Sequence, residues 1–332
     1  MMGWKRGLKI AVGGLVALFA IGAGWTYYSK PWVYPVSIKD AGPTGTRIVT
    51  DGLFGNYFPS PDGKRAATIL LIGGSEGGLG LHMTLFAKAL QSAGYTVFHL
   101  SYWRAPSQPK RLEEIPIEYF EKALIWLKSQ NAVDPERMAM AGWSRGSEAT
   151  VLVAARNNGL KAIILGMPGS HVWPDFDWEA PWASKGTSGW SIDGKRLPAV
   201  SLENVPFTLD PATGAASALA ETVKTPAAAL PIAGVSIPVL MICGAKDNIW
   251  ASCPMARAMK ATANSAKKAD VSLIEYSDAG HVAFGAPAER GSKLHKSFGN
   301  FGGGTADANQ AALENAFPKM LSFLEKSFEA KQ

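Results

Sequence analysis

Short apolar runs alternate along this chain with segments of helical character. The runs, each of six to eight residues, are ATILLI, YTVFHLSY, RMAMAG, KAIILG, PVLMICG and VSLIEY, beginning at residues 67, 95, 137, 161, 238 and 271. A strand buried on both faces of a sheet has such a continuous apolar sequence, and parallel strands need a crossover connection, usually a helix. The alternation therefore predicts an α/β fold with a mainly parallel sheet flanked by helices.

Several of the intervening segments are predicted helices. LHMTLFAKALQSAG follows the first run and SEATVLVAARNNG follows the third, while a last helix is expected over about 309–329. Another begins at Pro116, a residue that suits the first turn of a helix. Its apolar face consists of Ile117, Phe120, Leu124 and Leu127. Ahead of the first run, the tetrapeptide PDGK at 61–64 predicts a hairpin turn.

The composition excludes several classes of protein. Of the 332 residues, 47% are hydrophobic and 18% are charged, which is too apolar for a disordered chain. The formal net charge of +6 comes partly from Lys5, Arg6 and Lys9, and the remainder is spread without a basic run. We therefore expect no nucleic-acid partner.

The N-terminus carries a membrane signal. Residues 10–29 contain no charged side chain, and they follow the basic residues named above. Twenty residues of helix would span about 30 Å of hydrocarbon, and the basic flank predicts that the N-terminus stays in the cytoplasm. We expect a membrane anchor, with a cleaved signal peptide or a buried helix as alternatives. The first two place the main domain outside the cytoplasm, in the periplasm of a Gram-negative host.

The chain therefore divides into a targeting segment, 1–30, and a domain, 31–332. Within the domain only 167–232 interrupts the strand and helix alternation, and it is too long for a plain connection. We expect it to form a partial cap over the carboxyl edge of the sheet, where sites in α/β proteins lie. Candidate residues of the cap for binding an apolar substrate group are Trp173, Trp178, Trp182, Trp190 and His171. The alternative is a surface loop whose tryptophans are packed for stability.

The sequence Gly142-Trp143-Ser144-Arg145-Gly146 joins the third apolar run to its helix. G-x-S-x-G between a strand and a helix is typical of a nucleophile elbow, a strained turn that exposes the serine hydroxyl. It also directs the next backbone N–H at a developing oxyanion. We predict Ser144 as a nucleophile and the Arg145 N–H as an oxyanion donor. The alternative is an ordinary turn with a capping serine.

Asp247 and His281 follow the last two apolar runs in the order that a Ser-Asp-His triad of this kind requires. The imidazole would take the serine proton, and the carboxylate would orient it and stabilise its charge. Asp278 competes with Asp247 but lies in the loop of His281 itself. Of the remaining histidines, His99 is expected in the core. His82 and His295 lack a strand-end context.

A glycine-rich loop, GGSEGG at residues 73–78, follows the first run. Such a loop provides the second oxyanion N–H in this kind of fold. Ser75 is the first choice for that donor and Glu76 the second. A phosphate-binding loop is disfavoured because the Walker lysine and the dinucleotide spacing are both missing.

Together these motifs resemble the C-terminal catalytic domain of the acyl-CoA thioester hydrolase and bile acid-CoA:amino acid N-acyltransferase family, which is related to dienelactone hydrolases. The matching segments are LLIGGSEGG, RLEEIPIEYFEKALIWL, AGWSRGSEA, PVLMICGAKDNIWAS, YSDAGH and FGGGTADANQAALENAFPKMLSFL. The resemblance covers about residues 50–325 and implies an α/β-hydrolase fold. It also implies the roles of nucleophile, acid and base for Ser144, Asp247 and His281.

The resulting expectation is a serine hydrolase that cleaves esters or thioesters through an acyl-enzyme, with no metal or organic cofactor. Vertebrate transferases of the family have cysteine at the nucleophile position, so the serine here favours hydrolysis. An acyltransferase is the first alternative, and a non-catalytic, membrane-anchored binding protein is the second. Two departures from the family are expected. Too few residues precede the glycine loop for the β-sandwich of vertebrate members, and an exported domain would not meet cytosolic acyl-CoA.

Cys243 and Cys253 are the two cysteines of the chain. Two free, buried thiols are the favoured interpretation, because cysteine often packs as a small apolar residue. A disulfide would connect the two ends of the loop that carries Asp247. Export would permit it, but the Cα atoms would have to lie within about 7 Å of each other.

Overall fold

The computed structural model describes residues 15, 18–30, 33, 35–156, 159–180, 185–206, 208, 210–299 and 301–329. Its strands are β1 (Ser37–Ile38), β2 (Thr46–Thr50), β3 (Leu53–Phe58), β4 (Ala66–Ile72), β5 (Gly78–Leu79), β6 (Thr96–Ser101), β7 (Ile115–Pro116), β8 (Val133–Trp143), β9 (Ala162–Gly166), β10 (Trp190–Ile192), β11 (Lys195–Arg196), β12 (Val239–Gly244) and β13 (Val271–Tyr276). Its helices are α1 (Leu81–Ser92), α2 (Glu118–Lys128), α3 (Arg145–Ala154), α4 (Pro211–Lys224), α5 (Ser252–Ala266), α6 (Lys293–Ser297) and α7 (Ala306–Glu329).

A central sheet of eight strands has the order β13-β12-β9-β8-β4-β6-β3-β2. The pairs from β13 through β6 are parallel, while β3 pairs antiparallel with both β6 and β2. Each of the six apolar runs of the sequence forms one strand of the parallel part. The prediction of a mainly parallel sheet flanked by helices is therefore confirmed.

Burial explains why these runs became strands. Residues 67–72 of β4 and the whole of β6, β9 and β12 are buried, so these strands are covered on both faces. The predicted apolar face of α2 is buried as well, with Phe120, Ala123, Leu124 and Leu127 turned to the sheet. Because the strands run parallel, the loops after β4, β8, β12 and β13 meet at one edge of the sheet.

The predicted hairpin at PDGK is wrong. A turn does form there, and Gly63 N donates to Ser60 O at 2.9 Å. It joins β3 to β4, however, and β6 lies between these two strands in the sheet. The hairpin lies one turn earlier, where Asp51 and Gly52 connect β2 to β3 with φ angles of 47° and 77°. Two central residues with positive φ are typical of the tight turns that suit twisted antiparallel strands.

The interpretation of the cysteines as two free thiols is also wrong. Cys243 at the end of β12 and Cys253 in the first turn of α5 form a disulfide, with their Cα atoms 5.2 Å apart. Both residues are buried. The short connection returns α5 against the strand that precedes it, and this brings the two side chains together. The bridge therefore joins the ends of the loop that carries Asp247.

The predicted membrane segment lies partly outside the described residues. In the part that the structure describes, no helix is both long and apolar enough to cross a bilayer. Residues 18–29 are helical, and the large apolar side chains among them are exposed. The division of the chain at residue 30 stays a prediction.

A buried ion pair holds part of the 167–232 segment onto the domain. Arg145 Nε lies 2.9 Å from Glu148 Oε1, and both side chains are almost fully enclosed. The Arg145 guanidinium donates to the carbonyls of Trp173 and Pro174. Glu148 Oε2 accepts from Trp173 N at 3.1 Å and from Trp190 Nε1 at 2.8 Å. The first turn of α3 is thus bonded directly to the segment that covers it.

We expect Glu148→Ala to lower the free energy of unfolding by about 3 kcal/mol, because it leaves a buried guanidinium without its counter-charge. Glu148→Gln should cost less, since the amide oxygen still accepts from the tryptophan N–H groups. Chemical denaturation measures both. Glu121→Ala is the matched control: it breaks a more exposed pair with Arg156 and should cost less than about 1 kcal/mol. Equal losses for Glu148→Ala and the control would contradict this account.

Candidate active site

Ser144 occupies a strained turn between β8 and α3. Its backbone has φ 55° and ψ −122°, a conformation that residues other than glycine rarely adopt. The two flanking positions must be glycine, because a side chain there would collide with the neighbouring backbone. A Cβ on Gly142 would lie 2.3 Å from Gly146 O, and a Cβ on Gly146 would lie 2.3 Å from Gly73 O. This is the geometry expected of a nucleophile elbow.

Asp247 and His281 lie together, each in the loop after its strand. Asp247 Oδ2 is 2.8 Å from His281 Nδ1, and the two side chains are 1% and 3% exposed. The other oxygen, Oδ1, accepts from the backbone N–H groups of Ile249 and Trp250. With a carboxylate at Nδ1, that nitrogen carries the proton and Nε2 is left as the acceptor. The competing Asp278 is exposed and accepts from Ser277 Oγ instead.

Ser144 and His281 line the same cavity, of about 540 Å³. Among the hydrogen bonds of the described residues, none joins the Ser144 hydroxyl to the imidazole. Such bonds are often long before substrate binds. The rest of the lining is mostly apolar: Leu81, Met83, Trp143, Trp178, Ile249, Val282, Leu294, Phe298 and Phe301. The cavity therefore offers an apolar wall beside the Ser144 hydroxyl and the His281 imidazole.

The five candidate residues of the cap have different positions. Trp178 lines the cavity, as expected. Trp173 is buried against Trp250, and Trp190 is buried against Tyr102 and Phe120, so neither reaches the cavity. His171 borders a separate groove between α4 and α5. Trp182 lies outside the described residues.

The tryptophan expectation is therefore wrong for Trp173 and Trp190, because both pack onto the Arg145–Glu148 pair and its surroundings. The sequence pattern does not distinguish a tryptophan that lines a cavity from one that is buried in the core beneath the cavity.

The glycine-rich loop lies beside the elbow, as expected. A Cβ on Gly74 would lie 2.8 Å from Ser144 Cβ, and both Ser75 and Glu76 line the cavity. The Glu76 carboxylate accepts from Gly74 N at 2.8 Å. Burial raises the pKa of Glu76 to about 7, against the lowering effects of its backbone hydrogen bonds and of His281. The buried carboxyl group is therefore protonated more readily than an exposed glutamate.

His82 is a cavity residue that sequence reasoning missed. Its Nε2 lies 2.5 Å from Phe284 O, and its ring packs edge-on against Trp143 and Phe298. Burial lowers the pKa of His82, which favours the neutral imidazole. The sequence does not place His82 directly after a strand, so the strand-end criterion does not select it. The signal was its place in the first turn of the helix that follows the glycine loop.

A second missed group lies at residues 302–304, where three glycines have φ between 68° and 83°. Gly302 O accepts from His281 N at 2.8 Å, and a Cβ on Gly302 would lie 2.5 Å from His281 Cβ. Asn309, fully buried, accepts from Gly280 N and donates to Gly303 O. Gly302 O also accepts from Asn248 N at 3.4 Å, so these glycines connect the loop of His281 to the loop of Asp247. The one sequence signal for them is their place in a segment that resembles the family.

Metal-ligand geometry occurs at one place among the described residues: Cys243, Cys253 and Glu275 lie close together. The two sulfur atoms form the disulfide, so they offer no thiolate to a metal. The group does not fit a metal site.

Residues 115–330 match the family described as BAAT / acyl-CoA thioester hydrolase C terminal. The mitochondrial acyl-coenzyme A thioesterase 2 of Rattus norvegicus is 25% identical over 275 residues, covering 76% of this chain and 57% of that protein. The bile acid-CoA:amino acid N-acyltransferase of Mus musculus is 27% identical over 139 residues, covering 42% of this chain and 30% of that protein.

Solved structures agree on the fold. The α/β hydrolase GrgF from Penicillium sp. sh18 covers 86% of this chain and 99% of its own, with a TM-score of 0.52 and 17% identity. A Klebsiella pneumoniae protein assigned to the dienelactone hydrolases covers 85% and 97%, with a TM-score of 0.50 and 14% identity. These identities establish the fold alone. The domain has the α/β-hydrolase fold.

The chain spans little more than half the length of the rat thioesterase that it matches. The family match nevertheless includes the elbow, the Asp247–His281 pair and the glycines that hold the histidine loop, and it extends over well over half of the chain. This protein belongs to the BAAT / acyl-CoA thioester hydrolase C-terminal family.

Proposed function

We propose that this protein is a serine hydrolase that cleaves ester or thioester bonds of apolar acyl groups through an acyl-enzyme intermediate. The observation that carries the proposal is the arrangement of three side chains at one cavity. Ser144 lies on a strained elbow, and His281 is oriented by a 2.8 Å contact with Asp247. Names of the relatives support the substrate class, since they include acyl-coenzyme A thioesterases.

In this mechanism His281 Nε2 takes the proton of the Ser144 hydroxyl as Oγ attacks the acyl carbonyl. Asp247 holds the imidazole in the required tautomer and stabilises its positive charge. The imidazolium then protonates the leaving alcohol or thiol. Water, activated by the same imidazole, releases the acid and regenerates the hydroxyl.

Two backbone N–H groups are proposed to bind the oxyanion. The Arg145 N–H lies in the first turn of α3, where a helix offers no internal acceptor. The Ser75 N–H lies in the glycine loop beside the elbow. Within the described residues neither N–H has a hydrogen-bond acceptor. Glu76 is the weaker choice for the second donor, because its own carboxylate accepts from its backbone N–H.

The acyl group is proposed to lie along the apolar wall of the cavity. Leu294 and Phe298, near α6, and Trp178 from the cap form much of this wall. Each buried methylene contributes about 0.8 kcal/mol of transfer free energy, so such a wall favours longer acyl chains. Neither a metal nor an organic cofactor takes part in the proposed chemistry.

Acyl transfer to an amine or alcohol is the second candidate, and the similarity to the mouse N-acyltransferase favours considering it. The two candidates share the acyl-enzyme and differ only in the acceptor. Adding glycine, taurine or an alcohol to the assay distinguishes them. Amide or ester product would indicate transfer, and acid alone would indicate hydrolysis.

We predict that Ser144→Ala abolishes turnover and labelling by a fluorophosphonate while the protein remains folded. Loss of a member of such a triad costs about 10⁴- to 10⁶-fold in rate. Asp247→Asn should lose about 10³- to 10⁴-fold, because the imidazole is left without its anion. Hydrolysis of short-chain nitrophenyl esters measures turnover, and circular dichroism measures whether the protein is folded. More than a tenth of wild-type activity in Ser144→Ala would refute the assignment. A folded wild-type protein without labelling would instead favour a non-catalytic binding protein.

We predict that Leu294→Trp shortens the acyl chain that is accepted. The added ring would fill part of the cavity, so kcat/KM for a decanoate ester should fall by roughly 10-fold relative to a butyrate ester. Ile125→Trp is the matched control, because Ile125 is 69% exposed on α2 and does not line the cavity. If Leu294→Trp leaves the ratio of kcat/KM for the decanoate and butyrate esters unchanged, the acyl group does not bind along this wall.

We also propose that the domain is exported and that residues 10–29 anchor it in the membrane. The basic flank and the uncharged stretch support this, as does the Cys243–Cys253 disulfide, since such bonds rarely persist in the cytosol. Protein unfolded without reductant should show no reactive thiol, and the domain should be protease-accessible from outside the cytoplasmic membrane. Two reactive thiols and a protected domain would refute export. The mass of the mature chain separates an anchor from a cleaved signal.

A further inference from the structure

The carbonyl oxygens of the glycine-rich loop are held by side chains from beneath it. Gly74 O accepts from Trp103 Nε1 at 3.2 Å and from the Tyr102 hydroxyl at 3.1 Å, and the same hydroxyl lies 3.1 Å from Gly73 O. Farther along, Ser75 O accepts from Trp178 Nε1 at 2.5 Å and Glu76 O accepts from Arg104 Nη1 at 2.9 Å. The four carbonyls from Gly73 to Glu76 are therefore each oriented by a side chain.

The Gly74–Ser75 peptide is the one that matters for catalysis. In a trans peptide the C=O and the following N–H point in opposite directions. Gly74 O accepts from the Tyr102 and Trp103 side chains and, at 3.5 Å, from Gly77 N. The two shorter, side-chain bonds do most to fix the direction of the Ser75 N–H, which is the second oxyanion donor of the proposed function. Tyr102 and Trp103 are 4% and 0% exposed, so water does not compete for these bonds.

The donors themselves are rigid. The Tyr102 ring packs against Phe120 and Trp190, with centroids 5.3 and 5.6 Å apart. Burial raises the pKa of the Tyr102 hydroxyl well above its ordinary value, so the group stays protonated and donates. Tyr102 and Trp103 follow β6 directly, and β6 pairs with β4, the strand from which the glycine loop begins. The neighbouring strand of the sheet thus carries both donors.

We propose that Tyr102 and Trp103 are positioning residues that orient the Ser75 N–H toward the oxyanion. This inference rests on the proposed function. A donor aligned before reaction stabilises the transition state more than the bound substrate, because it does not need to reorganise when charge develops. Loss of this alignment should therefore lower kcat and leave KM nearly unchanged.

The test compares Tyr102→Phe, Trp103→Phe and the double variant in the full-length protein. Each single variant keeps an aromatic ring and one of the two side-chain donors on Gly74 O. We expect kcat for a nitrophenyl ester to fall roughly 3- to 10-fold. The double variant should fall roughly 10²-fold or more, near the loss seen when one oxyanion donor is removed. KM should change less than about 2-fold throughout. Affinity for a tetrahedral boronic acid should fall in proportion to kcat.

Tyr119→Phe is the matched control. The Tyr119 hydroxyl donates to Ser101 O at 2.7 Å, so this variant also loses a tyrosine-to-carbonyl bond at the end of β6, but it leaves the glycine loop intact. We expect its kcat to match the wild type even if its thermal stability falls. If Tyr102→Phe and the double variant behave like Tyr119→Phe, or if only KM rises, the inference is overturned. A wild-type protein that is neither active nor labelled at Ser144 would instead refute the proposed function.

Discussion

Close backbone packing between two strand-to-helix turns sets the geometry of this site. The turn after β8 carries Ser144, and the turn after β4 carries the glycine loop. A Cβ on Gly146 would lie 2.3 Å from Gly73 O, and one on Gly74 would lie 2.8 Å from Ser144 Cβ. Side chains at these positions would separate the turns. Because the separation is this small, the serine and the loop N–H groups can face the same carbonyl group of a substrate.

Buried hydrogen bonds hold Asp247 and His281 in place beside these two turns. Asp247 uses one oxygen for its own loop and the other for His281. Gly302 O accepts from the backbone of both loops, and Asn309 accepts from the histidine loop at Gly280 N. Buried hydrogen bonds of this kind are costly to leave unpaired, so the loops have few alternative conformations. Catalysis by a triad requires such order, because the imidazole must lie within hydrogen-bond reach of both partners.

The cap shows how one pair of charges can serve two purposes. Arg145 provides a backbone N–H next to Ser144, while its side chain reaches the carbonyls of Trp173 and Pro174. Glu148, one turn later, pairs with that side chain and accepts from Trp190. The helix that begins at the elbow is therefore also bonded to the segment that contributes Trp178 to the cavity wall. Burial raises the pKa of Glu148 to about 7 despite the attraction of Arg145, so this pair lies in a strongly desolvated environment.

The sequence by itself determined the parallel sheet, the elbow and the order of Ser144, Asp247 and His281, because each depends on local pattern: apolar runs, flanking glycines and positions at strand ends. Tertiary structure alone decided which tryptophans reach the cavity, whether Cys243 and Cys253 meet, and which groups orient the glycine loop. These depend on how separate elements pack. Trp103 and Gly74, or Gly302 and His281, meet although they are far apart in the chain, and the two cysteines meet because α5 returns against β12. Periodicity describes which face of an element is buried. It does not describe what that face touches, since the contact is fixed by how separate elements pack.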